Sequence, residues 1–163
     1  MKFGDQKMSA EKTAGIMDTG TSLIYAPQVV VTKMVQAIGA TFVPQVGLYM
    51  VDCGSTLPDL EFTIGGNKIT VPGSDLVLKD DDGRYCFFTV STMNFGAADT
   101  SDVATLNVEL GDEIIQQMNN FVGESALPIP AGYDAWLIGD TFLRKVYTIY
   151  DFGNKKFGYA KLK

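Results

Sequence analysis

The sequence predicts an all-β fold, mainly antiparallel, with a few short helices. Short segments rich in β-branched and aromatic residues recur along the 163 residues, and Gly, Pro and Asp residues separate them. Two longer segments, 27–38 and 111–122, have apolar residues at helical spacing instead. The length suits one domain that is large enough to bury a core.

Residues 14–24 begin with an apolar, strand-like run that ends at Asp18. Asp and Gly are poor strand residues, so Asp18-Thr19-Gly20 is predicted to form a tight turn at the strand end. Gly20 lets the backbone approach a partner closely. Hydroxyl groups that can donate hydrogen bonds to the Asp18 carboxylate are present at Thr19, Thr21 and Ser22. The pattern suits a carboxylate that is held ionised or shares a proton, but a surface Asp in a polar turn would also fit.

The segment 27–38 is predicted to form the first helix. Pro27 stands near its start and Gly39 directly after its end, which is the usual placement of these residues. The apolar positions that define its buried face are Val30, Val31, Met34, Val35 and Ile38.

Residues 61–64 and 69–71 are predicted to form a β-hairpin with the Gly-rich turn 65–68. Pro72-Gly73-Ser74 ends the hairpin, and residues 75–78 form a short apolar step.

The acidic run Asp80-Asp81-Asp82-Gly83 is predicted to be a solvated reverse turn before a strand at 85–90. A calcium-binding loop is the less favoured alternative, since the downstream Glu that such a loop requires is missing.

The segment 111–122 is predicted to form a second, amphipathic helix with Asp112 and Glu113 at its N-terminus. Its apolar stripe consists of Ile114, Ile115, Met118, Phe121 and Val122.

Near the C-terminus, the chain has a hydrophobic–hydrophobic–Gly step, Trp136-Leu137-Ile138-Gly139. A short helix at 140–145 follows, with Asp140 or Thr141 predicted as its cap. The last segments, 146–151 and 154–160, are interpreted as a strand pair. The lysines of this region are interpreted as solvated and not as a basic patch: Lys155, Lys156, Lys161 and Lys163.

Together, the Asp18-Thr19-Gly20-Thr21 turn, the step at 136–139 and the segments after it resemble the C-terminal lobe of a pepsin-like (cathepsin D-like) aspartic protease. In that family each of two lobes supplies one aspartate from an Asp-Thr-Gly turn, and the hydrophobic–hydrophobic–Gly strand packs beside it. The resemblance covers the whole chain, 1–163, except for about residues 94–133. That stretch is longer than in most such lobes and is interpreted as a helical insertion, either a surface helix packed on the sheet or a specificity element near the cleft.

The resemblance implies that Asp18 is a catalytic carboxylate in the bilobal acid protease fold. It further implies that Thr19 bonds across to the other lobe's turn, that Thr21 steadies a carboxylate oxygen, and that Gly20 lines the substrate. Ile16 and Leu137 are expected to face the prime-side subsite. This chain has a single Asp-Thr-Gly, because Asp99-Thr100-Ser101 and Asp140-Thr141-Phe142 lack the glycine. The partner aspartate is therefore expected from an N-terminal lobe or from a second copy of the chain.

Two cysteines, Cys53 and Cys86, permit one disulfide but do not establish it, since buried thiols are equally compatible with the residues alone. The resemblance implies a Cys53–Cys86 bridge. Such a bridge implies an oxidising route through the secretory pathway, to a secreted or lysosomal/vacuolar location. The resemblance also implies synthesis as a zymogen. The polar start, residues 1–5, does not read as a signal peptide, and Met1 is interpreted as an added start residue on part of a longer chain.

The favoured interpretation is an aspartic-type endopeptidase lobe that hydrolyses peptide or protein substrates at acidic pH and is inactive without its N-terminal lobe. The alternatives are a retroviral-protease-like homodimer and a catalytically silent pepsin-like binding protein. The absence of His excludes a Ser-His-Asp or Cys-His mechanism, and no metal or cofactor is expected. A net charge of −6 without clustered Lys or Arg argues against nucleic acid. No apolar run reaches the roughly 18 residues of a membrane span.

Overall fold

The computed structural model describes residues 1–8, 13–92, 110–122 and 135–162. These residues form three four-stranded sheets and one two-stranded sheet, which confirms the predicted all-β fold. The strands, in chain order, are β1 (Lys2–Phe3), β2 (Gln6–Lys7), β3 (Ala14–Met17), β4 (Ile24–Ala26), β5 (Thr41–Val43), β6 (Leu48–Val51), β7 (Leu60–Ile64), β8 (Asn67–Val71), β9 (Val77–Lys79), β10 (Cys86–Phe88), β11 (Val90–Thr92), β12 (Ala135–Ile138), β13 (Val146–Asp151) and β14 (Lys156–Lys161). The helices are α1 (Gln28–Ile38), α2 (Asp112–Val122) and α3 (Asp140–Leu143), with a 3₁₀ turn at Gly73–Leu76.

Helix α1 confirms the prediction for residues 27–38, including both ends. The carbonyl oxygen of Pro27 accepts the first helical hydrogen bonds, and Gly39 ends the helix in the left-handed region at φ 66°. Four of the five predicted positions are buried, namely Val30, Val31, Met34 and Val35, and the fifth, Ile38 in the last turn, is half-buried.

The hairpin of β7 and β8 confirms the predicted strand pair but has a shorter turn. Gly65 and Gly66 both have positive φ, 55° and 84°, a conformation that glycine adopts without steric strain. Asn67 and Lys68, predicted as part of the turn, already pair with Ile64 and Thr63 as the start of β8.

The predicted strand at 85–90 is two strands, because the chain passes from one sheet to another at Thr89. β10 lies between β6 and β9 in an antiparallel sheet, whereas β11 runs parallel to β4 in a different one. At the crossing, the Thr89 N–H donates to Leu76 and its carbonyl accepts from Ile24, at 2.9 and 3.0 Å. The backbone of Thr89 thus bonds the residue just before β9 on one side and the first residue of β4 on the other.

The acidic turn is present, but its first residue is not solvated. Gly83 closes the turn with an N–H to the Asp80 carbonyl at 2.9 Å. Asp80 is only 5% exposed, and its carboxylate accepts the Tyr85 N–H at 2.8 Å. Asp81 and Asp82 are exposed as predicted.

The predicted disulfide between Cys53 and Cys86 is present, with 5.2 Å between the two Cα atoms. It ties the loop after β6 to the start of β10. Both cysteines lie in or beside the sheet β5-β6-β10-β9, which is distinct from the sheet that carries Asp18.

Helix α2 confirms the predicted helix at 111–122 and packs on the protein core. Met118 is 1% exposed, and Leu110, just before the helix, is also buried. The core has two apolar clusters, a larger one that includes the buried face of α1 and a second, smaller one. Met118 and Leu110 belong to the second apolar cluster, with Leu23, Tyr25, Val43, Val46, Leu48, Phe87 and Leu137. Residues 93–109 and 123–134 lie outside the described part of the chain, so most of the 94–133 insertion remains a prediction.

The strand pair β13–β14 forms a sheet of its own at the C-terminus. Lys156 and Lys161 lie on β14 and are exposed, as is Lys155 in the turn, which agrees with the solvated interpretation. Lys163 lies outside the described residues. Several large apolar side chains of this region are also exposed: Tyr147, Ile149, Tyr150, Phe152 and Leu162.

Candidate active site

Asp18 follows β3 directly and is held by β12. The two strands run parallel, with Ile16 opposite Leu137 and Met17 opposite Ile138. The Asp18 N–H continues this ladder by donating to the Ile138 carbonyl at 3.0 Å. The hydrophobic–hydrophobic–Gly step therefore packs beside the Asp18 turn, as the resemblance implies.

Both oxygens of the Asp18 carboxylate accept hydrogen bonds from the turn that follows. The Gly20 N–H donates to Oδ1 at 2.9 Å, and the Thr21 hydroxyl donates to Oδ2 at 2.6 Å. Donors on both oxygens fix the plane of the carboxylate. Asp18 is half-buried, so the group is oriented but still reachable from one side.

The three predicted hydroxyl donors occupy different environments. Thr21 is 2% exposed and bonds the carboxylate. Thr19 is exposed and Ser22 half-buried, and neither bonds Asp18 within the described parts of the chain. The Gly20 backbone curls over the carboxylate, so that a Cβ there would lie 3.4 Å from Oδ1.

The residues after β12 hold the other side of the Asp18 turn. Successive backbone N–H groups of Gly139, Asp140 and Thr141 donate to carbonyls 2.7–3.0 Å away. The acceptors, in the same order, are Leu23, Thr21 and Ser22. These N–H groups at the start of α3 are donors that a helix leaves free, so the turn uses them without disturbing the helix.

The cap predicted for α3 at Asp140 or Thr141 is wrong. The N-cap is Gly139, and no side chain caps the helix, because the carbonyls of the Asp18 turn already occupy its first donors. Asp140 instead contacts the Asp18 turn through its backbone N–H, which donates to the Thr21 carbonyl. The buried hydroxyl of Thr141 donates to the Ser22 carbonyl at 3.0 Å, a contact that the sequence did not indicate. Its one signal was a hydroxyl group two residues after the step at 136–139.

Ile16 and Leu137 share one face of the sheet but differ in exposure. Ile16 is 41% exposed at the free edge of β3, whereas Leu137 is 2% exposed within the second apolar cluster. A side chain that is buried against Leu23 and Tyr25 contributes to the core and not to an open surface. Both residues remain predicted contacts of the prime-side subsite, and of the two only Ile16 has an exposed side chain.

A cavity of about 890 Å³ lies on the opposite face of the same strands. Met17, Trp136 and Ile138 line it together with Phe62 and Phe157. Asp18, Thr19 and Gly20 do not line it, so this cavity is separate from the predicted substrate site.

Comparison with known proteins identifies the same family that the sequence motifs resemble. The family model described as eukaryotic aspartyl protease matches residues 1–162. The chain belongs to the eukaryotic aspartyl protease family. Cathepsin D of Clupea harengus is 32% identical over 99% of this chain, and gastricsin of Homo sapiens is 31% identical over 93%. Barrierpepsin of Saccharomyces cerevisiae is 28% identical over 90%.

The chain spans only part of these aspartyl protease relatives. It covers 33% of the cathepsin D, 30% of the gastricsin and 19% of the barrierpepsin. The part of the chain that the structure describes holds no group of three or more side chains that could bind a metal ion. Nor is any of its helices long and apolar enough to cross a membrane.

Proposed function

We propose that this chain is the C-terminal lobe of a bilobal aspartic endopeptidase and that Asp18 is the second of its two catalytic aspartates. The observation that carries the proposal is the half-buried Asp18 carboxylate, which has a donor on each oxygen from Gly20 and Thr21. Catalytic groups need such fixed orientation before the substrate arrives. Asp151 in the C-terminal turn also has a donor on each oxygen, both from Asn154, but those bonds are exposed. Asp18 differs because one of its donors is the buried Thr21 hydroxyl and because it lies against β12.

The proposed reaction is hydrolysis of a peptide bond by a water held between two aspartates, without a covalent intermediate. One carboxylate takes a proton from the water while its protonated partner polarises the substrate carbonyl. Two carboxylates about 3 Å apart share a proton, because both cannot ionise easily at that distance. This coupling favours activity at acidic pH.

The second aspartate must come from outside the described residues. Asp18 belongs to the only Asp-Thr-Gly in the sequence. Asp140, the other Asp near the turn, has an exposed side chain and lies within α3. Since the chain spans a third or less of the relatives compared above, an N-terminal lobe is the proposed source. Thr19, which is exposed on the turn, is the proposed contact with that lobe.

The exposed apolar side chains of β13–β14 support a partner lobe. Tyr147 and Ile149 lie on the same face of β13 and are 63% and 52% exposed. Leu162, just beyond β14, is 56% exposed. A two-stranded sheet is marginally stable alone, and adjacent exposed apolar residues usually mark an interface. Peptide or protein substrates would then bind between the lobes, against Ile16 and Gly20. The Cys53–Cys86 disulfide favours a secretory location for the assembled protein.

The test is acid proteolysis by the natural full-length protein that contains this chain. Asp18→Asn keeps the shape of the side chain and removes the charge, so cleavage of a denatured protein at pH 3–5 (the range implied by the family resemblance) should be abolished. Asp140→Asn is the matched control, since it changes a neighbouring exposed carboxylate and should retain activity. Substantial cleavage by Asp18→Asn would overturn the proposal, as would an inactive wild type that binds peptides without cleaving them.

A further inference from the structure

Thr141 lies 119 positions from Ser22 in the sequence, yet it contacts Ser22 twice. Its hydroxyl and its backbone N–H both donate to the Ser22 carbonyl, each at 3.0 Å. Thr141 is 1% exposed, so this contact is shielded from water. A buried hydrogen bond of this kind restrains the carbonyl more firmly than an exposed one.

The restrained carbonyl is next to the residue that holds the Asp18 carboxylate. Thr21, the residue before Ser22, donates its hydroxyl to Asp18 Oδ2 at 2.6 Å. The Thr21 carbonyl is itself held by the Asp140 N–H at 2.7 Å. Two consecutive peptides after Thr21 are therefore held from two successive positions of α3: Asp140 holds the Thr21–Ser22 peptide, and Thr141 holds the Ser22–Leu23 peptide. Together they limit the backbone from which the Thr21 side chain projects.

We propose that Thr141 is a positioning residue for Asp18, acting through the Ser22 carbonyl and the Thr21 hydroxyl. The proposal rests on the proposed catalytic role of Asp18. Thr141 itself bonds the Ser22 backbone and not the carboxylate. Its hydroxyl limits rotation of the Ser22–Leu23 peptide, one position beyond Thr21, and so restrains the turn from which Thr21 reaches the carboxylate.

Thr89 shows that a buried threonine in this protein does not need such a bond. It is also 1% exposed, but its hydroxyl oxygen has no hydrogen-bond partner among the residues that the structure describes. The two threonines thus share burial and differ in the hydrogen bond. Thr89→Val is therefore a matched control for Thr141→Val, because both variants keep the branched shape and remove only a buried hydroxyl.

The experiment compares these variants in the natural full-length protein with a peptide substrate at acidic pH. Thr141→Val should lower kcat by about 10-fold, because a misplaced catalytic group slows the chemical step. KM should stay within about twofold, since the substrate does not touch Thr141. Thr141→Ser, which keeps the hydroxyl, should restore most of kcat, and Thr89→Val should match the wild type. Equal kcat in Thr141→Val and Thr89→Val, or failure of Thr141→Ser to restore kcat, would overturn the proposal.

Hydrogen exchange separates this proposal from the proposed function. An inactive wild type would refute the proposed endopeptidase activity. The positioning role could still be measured, because hydrogen exchange does not depend on activity. In the same full-length proteins, the backbone amides of residues 18–24 should exchange faster in Thr141→Val than in wild type or Thr89→Val. Equal exchange in all three proteins would refute the positioning role, whatever their activity.

Discussion

A Cβ atom on Gly139 would lie 2.1 Å from the carbonyl oxygen of Thr21, so the backbones of these two residues are in direct contact. A second carbonyl, that of Leu23, would be 2.4 Å away. Only a residue without a side chain allows β12 to approach the Asp18 turn this closely. This close approach explains why the step at 136–139 ends in glycine.

Gly139→Ala should destabilise the protein, because both obstructing atoms belong to the backbone and cannot rotate away. We expect a loss of at least about 1–3 kcal/mol in the free energy of unfolding, which is the usual cost of overpacking. The measurement is urea denaturation followed by circular dichroism. Gly111→Ala is the control, since its Cβ would meet no atom of the described residues within 4 Å and should change stability far less. Equal stability of the two variants would contradict the close contact.

Removal of the Cys53–Cys86 disulfide should lower the stability without disturbing the Asp18 turn. The bridge closes a loop across a sequence separation of 33 residues, for which the chain-entropy model predicts about 3–4 kcal/mol. Each kcal/mol shifts the melting temperature of a domain of this size by about 2–4 °C. The test is scanning calorimetry of the double variant Cys53→Ala, Cys86→Ala. Peptide mapping under non-reducing conditions is the control, and two free thiols in oxidised, natively produced protein would refute the bridge.

Alkaline pH should destabilise the fold through Tyr25. Burial raises the pKa of the Tyr25 hydroxyl to about 12 from its ordinary value of 10.0. The folded state therefore resists deprotonation, and its stabilisation is complete below about pH 10 and is lost as the pH rises to about 12. The shift corresponds to about 2–3 kcal/mol.

Urea denaturation between pH 8 and 11 measures this loss. Tyr25→Phe cannot titrate and should lose less stability than the wild type over the same range. Tyr147→Phe is the control, because Tyr147 is 63% exposed and should follow the wild type. If Tyr25→Phe lost stability as steeply as the wild type, Tyr25 would not be the group responsible.

The isolated chain should lack peptidase activity and should self-associate. A dyad needs two aspartates, and loss of one acid–base partner typically costs 10²–10⁴ in rate or more. The exposed apolar face of β13 should then drive association in the absence of its partner lobe. Sedimentation velocity should show concentration-dependent oligomers, and Ile149→Lys should reduce them. Cleavage that rises with the square of the chain concentration would instead support the homodimer alternative.

Features that depend on neighbouring residues could be predicted from the sequence. Helix α1, the Gly65–Gly66 hairpin and the turn at Asp18 all result from short-range sterics and from hydrogen bonds within a few positions. The resemblance added the disulfide, because it supplied a pairing that two cysteines alone leave open. The family resemblance also rests on local motifs, the Asp18 turn and the step at 136–139, and so needed no knowledge of tertiary contacts.

The tertiary structure decided which faces of these elements meet. The parallel pairing of β3 with β12, the burial of Leu137 and the change of sheet at Thr89 all join residues that are far apart in sequence. Local patterns of hydrophobicity identify a strand but not its neighbour or its register. The contact of Thr141 with Ser22 has the same origin, since a hydroxyl finds its acceptor only once two distant backbones have packed together.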